Sequence, residues 1–261
     1  NAPLAHSEVS SLVEENETLS FSFTVTDGDN DTATGSLKVS VDDDTPEPIV
    51  SIVTAQTLDD EAQTLFTPVN FGGSFDANPD VKSVSGGAGT LFKMGADGLS
   101  ALAVDLPGFS VIAKTANGFA TTEAVSWSEG VRSAGGVTTY TATSASYQGG
   151  AAVLVIKADG SYTFTMNAPV AHGPSIIGEN NEELVFGYKV TDGDGDKAIG
   201  ALGISIDDDT PVAKVTVNAV TTLDDEAQSL FAGNAGGTGD VANEKITTGG
   251  ANSLFTAGAD G

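Results

Sequence analysis

The 261-residue chain has no cysteine, only two histidines and a single tryptophan. It can therefore form no disulfide and has no thiol nucleophile. The two histidines, His6 and His172, each follow an Asn-Ala-Pro sequence, and we interpret both as turn residues rather than catalytic bases. Neither a Gly-x-Ser-x-Gly elbow nor a phosphate-binding loop occurs. Together these absences predict that the protein is not an enzyme.

Basic residues are also scarce, with 10 Lys+Arg against 36 Asp+Glu and a formal net charge of −26. Such a surface repels nucleic acid and anionic membranes and attracts divalent cations. Because no run of about 18 apolar residues occurs, we expect no membrane insertion. The hydrophobic content of 39% is enough for packed cores and argues against a disordered acidic tail.

The sequence repeats itself, and most of the matching segments are separated by 165 positions. The repeated strings are LDDEAQTLF and LDDEAQSLF (58–66 and 223–231), VTDGDND and VTDGDGD (25–31 and 190–196), DDDTP (42–46 and 207–211), and NAPLAH and NAPVAH (1–6 and 167–172). We therefore expect about one and a half units of a tandem array that belongs to a longer chain.

Strict alternation of apolar and polar residues predicts β-strands along most of the chain. It is clearest in 19–25 and its copy 184–190, and further strands are predicted at 37–41, 202–206, 109–115, 137–144, 151–156 and 162–166. One helical turn is predicted near Leu58–Leu65, where acidic residues suit a helix start. The predicted fold class is all-β, with Ig-like β-sandwich domains arranged in tandem, end to end.

Two domain divisions fit the repeat. The first has a β-sandwich at 1–98, a smaller β module at 99–166 and a second sandwich at 167–261. The second has the end of one repeat at 1–57, a complete repeat domain at 58–211 and the start of the next repeat at 212–261. Both divisions remain open at the sequence level.

Carboxylates at alternate positions in glycine-containing loops predict calcium sites. The loops contain Asp27, Asp29 and Asp31 in the first copy, and Asp192, Asp194 and Asp196 in the second. Ca²⁺ takes six to eight oxygen ligands at flexible geometry, and glycine lets the backbone bend around it. The strand-like flanks and the lack of a Glu at the twelfth loop position exclude an EF-hand.

Two further acidic clusters occur in each copy. One cluster precedes Thr-Pro, and this sequence predicts an inter-domain linker that a cation can stiffen. It consists of Asp42, Asp43 and Asp44, repeated as Asp207, Asp208 and Asp209. The other opens the predicted helical turn: Asp59, Asp60 and Glu61, repeated as Asp224, Asp225 and Glu226.

Strand length determines which of these clusters can share an ion. About eight strand residues, or roughly 26 Å at ~3.3 Å per residue, separate the loop acids from the linker acids of one copy. The linker of one unit must therefore meet a cluster of another. The sharper hypothesis pairs 42–44 with 192–196, and under the first domain division the linker acids meet Asp59, Asp60 and Glu61 instead.

Two segments carry a family resemblance: ADGSYTFT at 158–165 and ELVFGYKVTDGDGDKAIGALGISIDDDTP at 183–211. They resemble the tandem VCBS-like extender repeats of RTX-type giant adhesins exported by type I secretion. The resemblance covers about 158–225 and its copy at 1–66 and is weak over 67–150. It implies a monomeric, extracellular, bacterial cell-surface protein involved in biofilm formation, in which Ca²⁺ stiffens neighbouring repeats and other regions contact the host or biofilm surface.

A calcium-dependent carbohydrate-binding β module is the alternative function. Trp127 lies in the less repetitive middle of the chain with Tyr140 and Tyr147, and an exposed aromatic ring there can stack on a sugar. A single Trp in a strand pattern more often belongs to the core, and we favour that interpretation of Trp127.

Overall fold

The structure is a computed structural model that describes residues 4, 6, 16–53, 57–63, 81–174, 179–217, 222–224, 227, 238–239, 244–250, 253–256 and 258–259. Within this part of the chain the regular structure is mainly β-strand, and a 3-10 turn lies at Asp60–Gln63. The predicted all-β class is confirmed, and the helical turn predicted near Leu58–Leu65 is this 3-10 turn.

The strands of the first half are β1 (Glu17–Thr26), β2 (Thr32–Val41), β3 (Glu47–Pro48), β4 (Ile52–Val53), β5 (Leu58–Asp59), β6 (Ser83–Gly86), β7 (Phe92–Lys93), β8 (Ala101–Asp105), β9 (Ser110–Lys114) and β10 (Ala120–Ala124). Those of the second half are β11 (Ser126–Trp127), β12 (Val131–Arg132), β13 (Val137–Thr143), β14 (Ala152–Lys157), β15 (Tyr162–Met166), β16 (Glu182–Thr191), β17 (Lys197–Asp207), β18 (Val212–Ala213) and β19 (Phe255–Thr256).

Two larger sheets form the body of the molecule. One has the order β11-β13-β14-β15-β6, with β12 added beside β13. The other has the order β4-β17-β16-β8, and β5 also pairs with β17. Strands β4 and β5 run parallel to β17, whereas β16 and β8 pair antiparallel.

Side chains from both sheets meet in one core, which gives the molecule its sandwich-like character. The alternating residues of β16 and β17 are buried on one face, as their period of two requires. Phe186 of β16 packs against Phe164 of β15 at a ring-centroid distance of 5.5 Å. The buried members of this core lie between Leu58 and Ile206, inside the 58–211 range of the second domain division.

The hairpin of β1 and β2 lies outside this core. Among the described residues these two strands pair only with each other, in a register that runs from Glu17↔Val41 to Thr26↔Thr32. The corresponding strands β16 and β17 have the same relative register but form the centre of a four-stranded path. One sequence pattern therefore occurs in two tertiary settings.

Candidate metal centres

The two aspartate-rich loops share one backbone arrangement. In the second copy, the N–H of Asp196 donates to Oδ1 of Asp192 at 2.8 Å. In the first copy, the N–H of Asp31 donates to Oδ1 of Asp27 at 2.9 Å. Each loop closes through a residue with positive φ, at Asn30 (75°) or Gly195 (119°), a conformation that Gly and Asn adopt more readily than other residues. The local sequence alone is therefore enough to bring alternate carboxylates to one side of the loop.

Burial separates the two loops. Asp27, Asp29 and Asp31 are exposed, whereas Asp192 is only 2% exposed and Asp196 is also buried. Residues that cover the second loop include Asp97, whose carbonyl oxygen would lie 2.8 Å from a Cβ at position 193, so that only glycine fits there.

The different settings shift the carboxyl pKa values in opposite directions. Burial raises the pKa of Asp192 to about 6; the N–H groups of Gly195 and Asp196 oppose this rise and the neighbouring Asp194 adds to it. In the exposed loop, the hydrogen bond with the side chain of Asp29 and the backbone N–H donors lower the pKa of Asp27. Burial thus makes the charged form of Asp192 unfavourable, and a cation at this loop would stabilise it.

In the buried loop an oxygen of Asp192 faces the other acids. Its Oδ2 atom is inaccessible to water, and the described residues provide no hydrogen-bond donor to it. One oxygen each of Asp192, Asp194 and Asp196 lies within 4.8 Å of the others. The same holds for Asp27, Asp29 and Asp31 on the exposed loop. A buried anionic oxygen without a donor is unfavourable unless a cation or a proton compensates it.

A third group joins the linker of the first copy to this loop. One donor atom each of His6, Asp43 and Asp194 lies within 4.8 Å of the others. Nδ1 of His6 is 2.7 Å from Oδ1 of Asp43, and the N–H of His6 donates to Oδ2 of Asp194 at 3.4 Å. Asp194 thus belongs to two groups, and Asp43 lies near it, which is the arrangement of the hypothesis that pairs 42–44 with 192–196.

A cavity of about 270 Å³ opens beside this junction. It is lined by Leu4, His6, Val41, Asp42, Asp43, Asp44, Ala96 and Asp97. Burial raises the pKa of Asp97, and the negative charges of Asp194 and Asp43 raise it further, while His6 opposes them. Carboxyl groups from three separate segments therefore converge here, and Asp97 is a member that the sequence did not predict.

Each linker is held by the same hydrogen bonds in both copies. The N–H of Asp43 donates to Oδ1 of Asn16 at 2.8 Å, and the N–H of Asp208 donates to Oδ1 of Asn181 at 2.9 Å. The carboxylate of Asp44 accepts from the N–H of Ala96 at 3.1 Å. Its counterpart, Asp209, accepts from the N–H of Ala259. The linker thus has a defined and repeated structure.

The second linker meets the acids of the 3-10 turn. Asp207 pairs with Asp59 where β5 runs beside β17, and the second linker and this turn are buried at Asp59, Asp60, Asp207, Asp208 and Asp209. Nε2 of His172 lies 3.3 Å from Oδ2 of Asp60. Burial of His172 opposes its protonation, but the ion pair with Asp60 and the charge of Asp208 outweigh this effect and raise the pKa to about 9. The raised pKa favours the protonated, cationic form of His172 beside these acids.

The structure locates the other predicted ligands in different settings. Asp42 and Asp44 are exposed, Asp224 is buried, and Glu61 lies in the 3-10 turn. Asp225 and Glu226 lie outside the described residues. Within the described part, the acids of the 3-10 turn do not join a compact three-ligand group of the kind found at Asp192–Asp196.

The two histidines have a closer relation to the acids than the sequence indicated. We interpreted both as turn residues, yet each ring lies against a buried aspartate, Asp43 for His6 and Asp60 for His172. The available signal was their retention in both copies beside otherwise altered residues. Retention in both copies does not identify the aspartate that each histidine contacts, because that contact joins segments far apart in the chain.

Trp127 packs against the core, in agreement with the interpretation favoured at the sequence level. Its indole N–H donates to the carbonyl of Pro107 at 2.8 Å. Its ring meets Phe186 edge-on at 5.7 Å and Phe109 at 5.9 Å. Tyr140 is buried, and Tyr147 donates its hydroxyl hydrogen to the carbonyl of Ile112 at 3.0 Å. These contacts occupy the rings on which the carbohydrate-binding alternative depends.

The donor atoms fit a hard divalent cation. Two of the three groups consist of carboxylates alone, and oxygen ligands suit Ca²⁺, whereas an imidazole nitrogen is typical of transition metals. The buried Oδ2 of Asp192 is an atom that a cation would stabilise. Comparisons with protein-family models, curated proteins and solved structures find no match for this chain. In the described residues no helix is both long and apolar enough to span a bilayer.

Proposed function

We propose that the chain is an extender segment of a bacterial cell-surface adhesin, in which Ca²⁺ bound between neighbouring Ig-like repeats sets reach and stiffness. The observation that carries this proposal is the junction of Asp43, from the linker of one copy, with Asp194, from the loop of the next. An ion shared by these two segments would link two repeat units, whereas the groups at Asp27–Asp31 and Asp192–Asp196 each lie within one unit.

Asp43, Asp192, Asp194 and Asp196 would hold the ion at this junction. His6 contacts Asp43 and so orients its carboxylate toward the loop. A bound ion would supply positive charge to these buried carboxylates. Because Ca²⁺ binds the folded junction and not the unfolded chain, it stabilises the folded state by mass action. The gain is about 2.7 kcal/mol when free Ca²⁺ is 100 times its dissociation constant.

The repeat units support an extension role. The division at 58–211 contains the core, and in each copy the acidic linker with its Thr-Pro exit lies at the end of the second hairpin strand, β2 or β17. An array of such units, with a net charge of −26 in this stretch alone, repels itself without cations. Millimolar external calcium would then both fold and extend the array, so that a distal region can reach the host or biofilm surface.

The test compares small-angle scattering and thermal unfolding of the full chain in Ca²⁺ and in chelator. We expect Ca²⁺ to raise the melting temperature and narrow the distribution of molecular dimensions. In Asp194→Asn both effects should largely disappear, because this residue belongs to two ligand groups. The matched control is Asp29→Asn, the equivalent position on the exposed loop, which should lose bound Ca²⁺ but keep the stiffening.

Two results would contradict the proposal. One is a scattering profile and a melting curve that chelator leaves unchanged. The other is an equal loss of stiffening in Asp194→Asn and Asp29→Asn, since this would show that the junction between the repeats has no special part in it.

A further inference from the structure

The hairpin of β1 and β2 presents an apolar face that the protein leaves uncovered. Phe21, Phe23, Val25 and Leu37 are between 52% and 56% exposed. They are neighbours on one face, since Phe21 pairs with Leu37 and the other two lie at alternate positions of β1. Soluble proteins rarely expose contiguous large apolar side chains, and such patches mark interaction surfaces.

The same molecule shows what covers a face of this kind. The equivalent residues, Phe186, Tyr188, Val190 and Leu202, are at most 3% exposed. The cross-strand register is the same, with Phe186 opposite Leu202 and Tyr188 opposite a glycine. In both hairpins the aromatic ring lies over that glycine, Gly35 or Gly200, where a Cβ would collide with the ring. The two faces are therefore alike in shape.

The cover on the second hairpin comes from one continuous stretch, residues 47–166, which we call the covering segment. Phe92, Trp127 and Phe164 from this segment pack against Phe186 and Tyr188, with ring centroids 5.5–6.1 Å apart. The hydroxyl of Tyr188 donates to the carbonyl of Ile49 at 2.8 Å.

The covering segment also pairs with both edges of the second hairpin. Strand β8 pairs with β16, and strands β4 and β5 pair with β17. The described structure shows no such partner on either edge of the first hairpin. Open strand edges next to an apolar face are sites where further strands add.

Differences between the two hairpins lie mainly on the opposite face. The outward residues Ser20, Ser22 and Thr24 of β1 correspond to Val185, Gly187 and Lys189 of β16. The inward residues of β1 keep Leu, Phe and Val and exchange only Phe23 for Tyr188, and on β2 the inward Val39 and Val41 become Ile204 and Ile206. We propose that the uncovered face of β1 and β2 binds a second copy of the covering segment. This interaction needs no metal and so goes beyond the proposed function.

The absence of cysteine from the chain makes a direct test possible. A single thiol is introduced as Val25→Cys on the apolar face, and its rate of reaction with a maleimide is measured. The same variant is then placed in a chain extended by residues 1–166 ahead of Asn1, which supplies one further covering segment. We expect labelling to slow by on the order of a hundredfold in the extended chain, because a covered thiol reacts only during local opening.

Two control variants give the labelling rates expected for an exposed thiol and for a buried thiol. Thr24→Cys lies on the opposite face of the same strand, and its counterpart Lys189 is exposed in the covered hairpin, so it should react rapidly in both chains. Val190→Cys is the buried reference, since Val190 is fully buried. Measurement in Ca²⁺ and in chelator separates this contact from the proposed metal sites.

Two outcomes would overturn the proposal. In the first, Val25→Cys reacts as fast as Thr24→Cys in the extended chain. In the second, Val25→Cys already reacts slowly in the 261-residue chain and sedimentation shows a dimer, so that two uncovered hairpins bind each other and the covering segment is not the partner.

Discussion

The hairpins β1–β2 and β16–β17 are two copies of one sequence pattern in two environments. Both have ten-residue pairing ladders and end in an aspartate-rich turn with the same hydrogen bonds. Only the second is enclosed between β8, β4 and the opposing sheet. As a result Phe186 is 1% exposed and Phe21 is 54% exposed.

The comparison separates what local sequence specifies from what packing adds. Local sequence is sufficient for the ladder, the turn and the convergence of alternate carboxylates. Packing determines whether the carboxylates are buried, and burial changes their chemistry because it removes the water that would stabilise the negative charge. The second loop is therefore the stronger candidate for cation binding, even though both loops have nearly the same residues.

The largest expected contrast lies in the apolar faces. Phe186→Ala should lower the free energy of unfolding by about 3–5 kcal/mol, because it leaves a cavity between the two sheets. The equivalent change, Phe21→Ala, should alter stability by no more than about 0.5 kcal/mol, as is usual for exposed positions. Urea denaturation measures both. Equal losses would mean that the first hairpin is packed as tightly as the second.

An intermediate contrast concerns the charge of the loops and its dependence on pH. The Asp192 carboxyl has a pKa of about 6 in the folded protein against 3.8 as its ordinary value, so its contribution to stability is present below pH 3.8 and is lost as pH rises through about 6. In chelator, Asp192→Asn should therefore be neutral near pH 4 and stabilising at pH 7.5, by about 1–3 kcal/mol. In Ca²⁺ at pH 7.5 the sign should reverse, because the variant lacks a ligand.

The control for this contrast is Asp27→Asn, measured by thermal unfolding at the same pH values. The pKa of Asp27 is lowered, so its carboxylate contributes stability above its ordinary pKa and loses it as pH falls. In chelator this variant should be slightly destabilised at pH 7.5, opposite in sign to Asp192→Asn. A gain in stability for both variants would show that burial is not the cause of the difference.

The smallest contrast concerns the asparagines that hold the linkers. Asn181 accepts from the N–H of Asp208 and donates to Oδ1 of Asp207 at 2.6 Å, whereas Asn16 accepts only from the N–H of Asp43 among the described contacts. We expect Asn181→Ala to cost about 1–2 kcal/mol and Asn16→Ala about 0.5–1 kcal/mol, measured by denaturant unfolding.

Asn181→Asp tests the reason for this difference. It keeps the oxygen that accepts from Asp208 but places a carboxylate against Asp207, so it should cost at least as much as Asn181→Ala because like charges repel. If Asn181→Asp is neutral, or if Asn16→Ala costs more than Asn181→Ala, the linker is held by other contacts.

Much of the fold followed from the alternation of residues. The strands predicted at 184–190, 137–144 and 162–166 lie within one residue of β16, β13 and β15 or inside them. The Ala-Asp-Gly sequence at 158–160 forms the tight turn between β14 and β15, with Gly160 at a φ of 75°. Such elements are predictable because a period of two and a tight turn are properties of adjacent residues.

The sequence predicted the acidic clusters of the candidate site but not the full set of residues that meet there. The loop and linker acids were identified from their spacing, and one of the two pairings left open by the strand-length argument joined the linker 42–44 to the loop 192–196. His6 and Asp97 were missed, because each reaches the junction from a segment far away in the chain and neither belongs to an acidic run. Contacts of this kind have no signature in a single sequence.

By itself, the sequence determined the all-β class, the repeat of about 165 residues and the convergence of alternate carboxylates in each loop. These follow from side-chain periodicity and local hydrogen bonding, which act within a few residues. Only the tertiary structure decided which of two equal hairpins is covered and which of two equal loops is buried. The reason is that burial depends on the segments packed against an element, and identical residues have different energies when those segments are present or absent.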